Sequence, residues 1–332
     1  MIKLTVVLPF FNAECTLENA IKSVLNQTFT RFYFVLVNNN STDKSVEIVK
    51  KYASKDKRII LLNETKQGVT FASNKGMQYA KTEYIARTDA DDILHKSKLE
   101  KQINFLEKNK EIDVVGTRVN YIGNTKNTGF KTFVDISNTK ITSEEIELNR
   151  FVELQIINPT IMFRKSIAEK YGYYKNGDFP EDYEMFLRWL DNGVKFYKLE
   201  DYLLDWHDSD TRLTRTDKRY TFDAFYRTKT PYLAKYLAKN NKYHPKIAIW
   251  GAGRLSRKRA NLLLNYGIEI TLYIDIDKNK TKKPNTIHYS KISEKDNLFI
   301  LSYVSNRGAK DKIKQFLLEK GFIEGKSFLL IA

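Results

Sequence analysis

The sequence holds a single cysteine, Cys15, in 332 residues. That excludes an intrachain disulfide and a cysteine-built metal cage, and it suits a reducing compartment. No apolar run approaches the ~20 residues that cross a bilayer. The N-terminus passes directly into Leu4-Thr5-Val6-Val7-Leu8, with no basic region and cleavage site ahead of it, so no secretory signal is expected. These absences together predict a cytoplasmic setting. No nucleic-acid module with interleaved aromatic platforms is recognisable either, so nucleic acid is not an expected partner.

What the chain does have is charge of one sign. Its net charge is +16, with basic clusters at 55–58, 254–259 and 278–283. Phosphate-bearing substrates or an anionic membrane surface fit such an excess, and lysine-rich solvated faces also account for part of it. The length suits two domains of roughly 150 residues each.

Leu4 to Leu8 is a continuous apolar run closed by Pro9, the pattern of a strand buried on both faces. Leu17, Ile21, Val24 and Leu25 then share a helical face, with Thr16 as a candidate cap. Phe32 to Val37 is a second buried strand. It ends in Asn38-Asn39-Asn40-Ser41-Thr42-Asp43, residues that turn the chain and cap a helix. A third strand at 58–62 and a helix from Gly68 to about Ala80 follow. Strand, helix and short connection repeat four times, which predicts a doubly wound α/β sheet.

The fourth strand is Tyr84-Ile85-Ala86-Arg87, and Thr88-Asp89-Ala90-Asp91-Asp92 ends it. Carboxylates at the carboxyl edge of such a sheet lie where ligands bind. They repel one another unless a positive group sits among them, and a hard divalent cation is one answer. A solvated acidic turn capping the next helix is the other.

Four strings, taken in order, resemble the signatures of the family 2 glycosyltransferases. They are Leu4 to Asn12, Ser23-Val24-Leu25-Asn26-Gln27-Thr28, Ser41-Thr42-Asp43 and Asp89-Ala90-Asp91-Asp92-Ile93. The resemblance covers about the first 215 residues. It implies the GT-A fold, a nucleotide-sugar donor, a divalent Mg2+ or Mn2+, and transfer with inversion at the sugar carbon. It further implies that Asp89 lies near the ribose, that Asp91 reaches the metal with Asp89 beside it, and that Asp182 of Glu181-Asp182 is the base. Pro9, Phe11 and Asn39 match nucleotide-contacting positions. Asn39 replaces a carboxylate that commonly reads uracil; an amide both donates and accepts, which alters the match to a UDP-sugar. Asn158 stands where this subgroup usually has His. His207 is a candidate contact for the metal or the diphosphate, and Arg212 and Arg215 are candidate phosphate partners or plain surface charge. Glu181 raises the Asp182 pKa by repulsion while a helix N-terminus lowers it, so the net direction stays open.

Residues 216–244 read as a helical connector, kinked or broken at Pro231. From Lys246-Ile247-Ala248-Ile249-Trp250 an α/β pattern restarts with Gly251-Ala252-Gly253, and a strand at 270–274 ends at Asp275. This predicts a small Rossmann-like domain over 245–332, without the third glycine of a dinucleotide fingerprint. The expected architecture is therefore a GT-A domain over 1–215, a doubly wound mixed sheet, followed by the connector and that smaller domain. The expected function is surface polysaccharide synthesis on a saccharide or lipid-linked acceptor, with peripheral contact at the inner membrane face. Two alternatives stand beside it: a nucleotide-binding sensor or oxidoreductase built on the C-terminal domain, and a catalytically inactive GT-A scaffold.

Overall fold

The computed structural model describes residues 2–123, 128–210, 212–293, 296–306 and 308–332. The chain divides into two compact units, one formed by 1–146 with 155–217 and the other by 147–154 with 218–332.

The first unit holds strands β1 (Leu4–Phe10), β2 (Phe32–Asn38), β3 (Ile59–Asn63), β4 (Tyr84–Arg87), β5 (Ile93–Leu94), β6 (Val114–Ile122), β7 (Met162–Arg164) and β8 (Phe196–His207). They form one sheet in the order β3-β2-β1-β4-β7-β6-β8-β5. β1 is flanked by parallel partners on both sides, β2 and β4. All of its residues are buried, which is why it reads as one apolar run and does not alternate. β7 runs antiparallel to β4 and β6, and β5 antiparallel to β8, so the sheet is mixed, as the GT-A expectation requires. The helices Leu17–Leu25, Ser45–Ala53 and Val69–Tyr79 fill the first three crossovers. Thr16, the candidate cap, makes no side-chain cap; its hydroxyl reaches back to the Ala13 carbonyl.

The second unit is a parallel five-stranded sheet. Its strands are β9 (Lys246–Trp250), β10 (Glu269–Asp275), β11 (Thr286–His288), β12 (Ile300–Ser302) and β13 (Phe328–Leu330), in the order β11-β10-β9-β12-β13. This is the Rossmann-like arrangement. The short β11 is missing from the sequence reading because Thr286-Ile287-His288 offers one apolar residue, whereas the equally short β12 and β13 lie in apolar runs. The helix Phe222–Asn240 continues through Pro231, so of the kink or break expected there the break does not occur. Thr228 and Thr230 donate their hydroxyls to the carbonyls of Ala224 and Tyr226, at 2.8 and 2.6 Å, in the turns around the proline. The buried Lys229 ammonium bonds the carbonyls of Phe151 and Ile331, at 2.7 and 2.6 Å. That stitches 147–154, a segment distant in sequence, into the second unit. Among the described residues no helix is long and apolar enough to cross a membrane.

One glycine fixes how closely a helix approaches the first sheet. A Cβ on Gly76 would lie 2.5 Å from Val7 Cγ1 and 3.0 Å from Val37 Cγ2. Both valines are fully buried, so neither has room to retreat. Alanine gains about 1 kcal/mol of helix propensity over glycine, but overpacking a tight core costs about 1–3 kcal/mol. Gly76→Ala is therefore expected to lower the denaturation midpoint, as read by urea unfolding. A midpoint at or above that of the parent would show that the helix slides outward freely.

Candidate active site at the carboxyl edge of the first sheet

β1, β2 and β4 run parallel, so the loops that follow them emerge at the same edge. The loops after β1 and β2 are closed on each other by hydrogen bonds. Asn12 Oδ1 accepts from Thr42 N at 2.8 Å, and its own N–H donates to Ser41 Oγ at 3.1 Å. Asp43 accepts from Glu14 N at 2.9 Å and from Ser45 N at 3.0 Å. Pro9 is buried at the end of β1, opposite Val37, and Phe11 beyond it is half exposed. Asn39 is buried and fully engaged. Its amide donates to the carbonyls of Glu64 and Lys66, at 3.0 and 2.9 Å, while Oδ1 accepts from Gly68 N at 2.8 Å. In this structure Asn39 therefore holds the 64–68 loop. A carboxylate there would have no proton to donate to those two carbonyls.

The acids after β4 form a compact cluster. Asp89, Asp91 and Asp92 each present an oxygen within 4.8 Å of the others. Two guanidinium groups flank them. Arg87 is buried at the end of β4 and pairs with Asp89 at 2.6 Å. Arg212 lies 4.0 Å from Asp89, 3.7 Å from Asp91 and 4.0 Å from Asp92. It is held over the Trp206 ring at 4.2 Å and by a hydrogen bond from its guanidinium to the His207 carbonyl. Asp92 is fully buried and accepts from His207 N at 3.0 Å, which ties the acidic loop to the end of β8. Burial, and then repulsion from Asp91 and Asp89, push the Asp92 pKa well up; burial likewise raises Asp91. Lys98 is buried too, and burial lowers its pKa to about 7 against the pull of Asp92. Three carboxylates thus face three basic side chains. An all-oxygen donor set of this spacing suits a hard cation such as Mg2+ or Mn2+. Asp89 and Asp91 are the members with exposed oxygens, and so are the ones able to hold it.

Glu181 and Asp182 open the helix Glu181–Asp191. Burial, followed by repulsion from Glu181, raises Asp182 from its usual value near 3.8 to about 7. The Tyr183 N–H, which donates to it at 2.7 Å, and Arg87 pull the other way; Asp89 adds repulsion. The direction left open by sequence is thus upward, because desolvation outweighs the helix terminus. Arg87 links the two acidic motifs. Burial works against its charge, but Asp89 and Glu181 outweigh that and keep it protonated.

Asp89, Asp91, Asp92, Glu181 and Asp182 therefore meet at one edge, around Arg87. His207 joins them through its backbone, while its ring Nδ1 is buried and has no hydrogen-bond partner among the described residues. Arg215 does not join. It pairs with Asp208, which also accepts from Tyr121 OH at 2.7 Å. Sequence reasoning gave no role to Tyr174, whose hydroxyl donates to Asn158 Oδ1 at 2.7 Å and whose backbone N–H and carbonyl are both bonded to the Asn74 side chain. It also missed Lys98, at a helix start between Lys96 and Lys101, which nothing in the sequence sets apart from its neighbours.

In the second unit, Asp275 lies where a ribose-binding acid would be expected after Gly251-Ala252-Gly253. Its carboxylate instead accepts from Ala252 N at 2.8 Å and Asp277 N at 3.0 Å, with Lys280 at 3.4 Å. A Cβ on Gly251 would meet Ser256 Oγ at 2.9 Å, so that glycine serves internal packing. Nothing here favours the dinucleotide reading over a self-contained turn.

The sequence profile described as glycosyl transferase family 2 matches residues 5–172. An uncharacterized glycosyltransferase of Methanocaldococcus jannaschii is 33% identical over 248 residues, 73% of this chain and 84% of that protein. Among solved structures, residues 1–349 of S. aureus TarS in complex with UDP-GlcNAc give a TM-score of 0.57 at 19% identity, over 80% of this chain and 71% of that one. This chain spans 40% of a longer TarS chain. The mannosyltransferase PcManGT of Pyrobaculum calidifontis, in complex with GDP-Man and Mn2+, gives 0.51 at 16% identity, over 71% of this chain and 63% of that one. At such identities the two structures speak for the fold alone. The profile and the archaeal relative, which is matched over most of both chains, reach further than fold: the chain belongs to glycosyl transferase family 2 and is a glycosyltransferase.

Proposed function

We propose that the chain transfers a sugar, with inversion, from a nucleotide-diphosphate donor to a hydroxyl of a saccharide or lipid-linked acceptor in surface polysaccharide synthesis. A UDP-sugar is the donor class we favour. The observation that carries this reading is the convergence on Arg87 of a carboxylate set fit for a cation and a separate carboxyl, Asp182, with a pKa near neutrality.

In this reading Pro9 and Phe11 line the nucleoside site, and Asn39 shapes it by fixing the 64–68 loop. Asp89 lies towards the ribose, and Asp89 with Asp91 holds Mg2+ or Mn2+. That ion supplies charge neutralisation for the departing diphosphate. Glu181 faces the transferred sugar. Asp182 takes the acceptor's proton as the new carbon–oxygen bond forms and the bond to the diphosphate breaks. A carboxyl with a pKa near 7 is a stronger base than an ordinary one and is still partly ionised at neutral pH. His207 ends β8 and Arg212 lies on the segment after it, beside the acids, where they meet the diphosphate. Work at the inner membrane face from the cytoplasm is consistent with the basic charge.

Asp182→Asn is expected to bind UDP with Mn2+ within about twofold of the parent and to lose roughly 10²–10⁴ in transfer rate. An unchanged rate removes Asp182 as the base. The sign of the pH dependence follows from its direction of shift. A raised carboxyl is neutral below its pKa, so kcat/KM in the parent should climb as pH rises through about 7 and then level. A profile flat from pH 5 to pH 8 is incompatible with that base.

The cluster's charge makes a separate prediction. Arg212 already partly neutralises Asp89, Asp91 and Asp92, so a cation arriving alone must compete with it. Arg212→Ala should therefore tighten Mn2+ binding in the absence of nucleotide by about tenfold, measured by titration calorimetry, whereas Asp91→Ala abolishes it. Equal Mn2+ affinity in Arg212→Ala and the parent would show that the guanidinium does not guard the acids.

A further inference from the structure

The positive charge is not spread evenly along the chain. Residues 218–332 carry 24 of the 56 Lys and Arg but 9 of the 40 Asp and Glu, so nearly all of the net +16 lies in this stretch. A lysine-rich solvated face for solubility alone would not favour one unit so strongly.

Topology gathers part of that charge at one edge. β9, β10 and β11 are parallel, so the segments that follow them leave the sheet on the same side. Arg254 follows β9, Lys278 and Lys282 follow β10, and Lys291 follows β11; all four are exposed. Among the described residues none of them has a carboxylate within ion-pairing distance, unlike Lys258 with Asp223 or Lys280 with Asp275. The same segments expose two large apolar side chains, Leu255 at 49% and Ile276 at 67%. The hydrogen bond from Ala252 N to the Asp275 carboxylate joins the two segments that carry them.

We propose that this edge of the second unit is a docking surface for an anionic lipid bilayer. Leu255 and Ile276 enter the boundary between headgroups and acyl chains, and the unpaired Arg254, Lys278, Lys282 and Lys291 meet lipid phosphates. Long basic side chains reach headgroups while their stems cover apolar surface. Charge complementarity alone also suits a soluble polyanion, but a polyanion offers nothing to Leu255 and Ile276. The proposal rests on the reading of a lipid-linked acceptor at a membrane face, and it names the part of the chain that does the holding.

The test is flotation of the full chain with vesicles of phosphatidylcholine alone or with about 30% phosphatidylglycerol. The parent should float only with the anionic vesicles, and less as salt rises. Lys278→Glu with Lys282→Glu should reduce the bound fraction by about tenfold, and Leu255→Ser with Ile276→Ser by severalfold at the same salt. Both double variants should keep the thermal stabilisation of the parent by UDP with Mn2+, which shows that they fold. Equal binding to neutral vesicles, or a charge-reversed variant that floats like the parent, overturns the proposal. So does full displacement by soluble polyphosphate combined with unaltered flotation of the Leu255→Ser, Ile276→Ser variant, which would mark a polyanion site. A chain that floats as expected but transfers no sugar keeps the docking surface and removes the enzymatic reading; active transfer without flotation does the reverse.

Discussion

A buried guanidinium holds the first unit's edge together. Arg87 ends the strand beside β1, is almost fully enclosed, and pairs with Asp89 at 2.6 Å. Its charge is also felt by Glu181, Asp182 and Tyr174, which arrive from far along the chain. Breaking a buried pair by deleting one partner strands the other charge, at a cost of about 3–5 kcal/mol. The position of Arg87 follows in turn from the register of β4 on β1, where Val7 faces it. Strand pairing in the core thus sets where the acids lie.

Around that pair, the three acids of the loop after β4 are countered by Arg87, Arg212 and the nearby Lys98. Asp92 is withdrawn from solvent and braces the end of β8, so it orients the loop, while Asp89 and Asp91 keep exposed oxygens. Arg212, backed by Trp206, stands opposite them. A site balanced in this way gains little from a cation by itself. It gains more from a cation that brings its own diphosphate, because the two arrive with opposing charge. Burial, with repulsion from Glu181, raises the Asp182 pKa against the pull of Arg87.

The second unit repeats the parallel α/β plan but turns its glycine motif inward. Asp275 occupies the position from which a ribose would be gripped and is engaged in closing the turn, while Ser256, at the third-glycine position, donates to the Tyr303 carbonyl. What this unit presents outward is a strong excess of lysine and arginine. A Rossmann-like fold with a self-satisfied fingerprint and an exposed basic edge fits association better than redox chemistry.

Much of this was legible in the amino-acid order. Apolar runs closed by polar turns gave the first four strands and their crossovers, since strand and helix periods are local properties. The acids after Arg87 were recognisable from residue type and their place at a strand end, and the pair at 181–182 from the family resemblance. Other features depended on three-dimensional neighbours. Whether Asp182 titrates high or low was a contest between burial and a helix terminus, and only the depth of the site decided it. Asn39 reads as a base contact in sequence, yet its amide is taken up by carbonyls some twenty-five residues away. Lys98 under Asp92, Arg212 over the acids, and the capture of 147–154 by Lys229 have no local signature at all. Composition and period decide which elements form; which charges face one another is set only when distant strands are laid side by side.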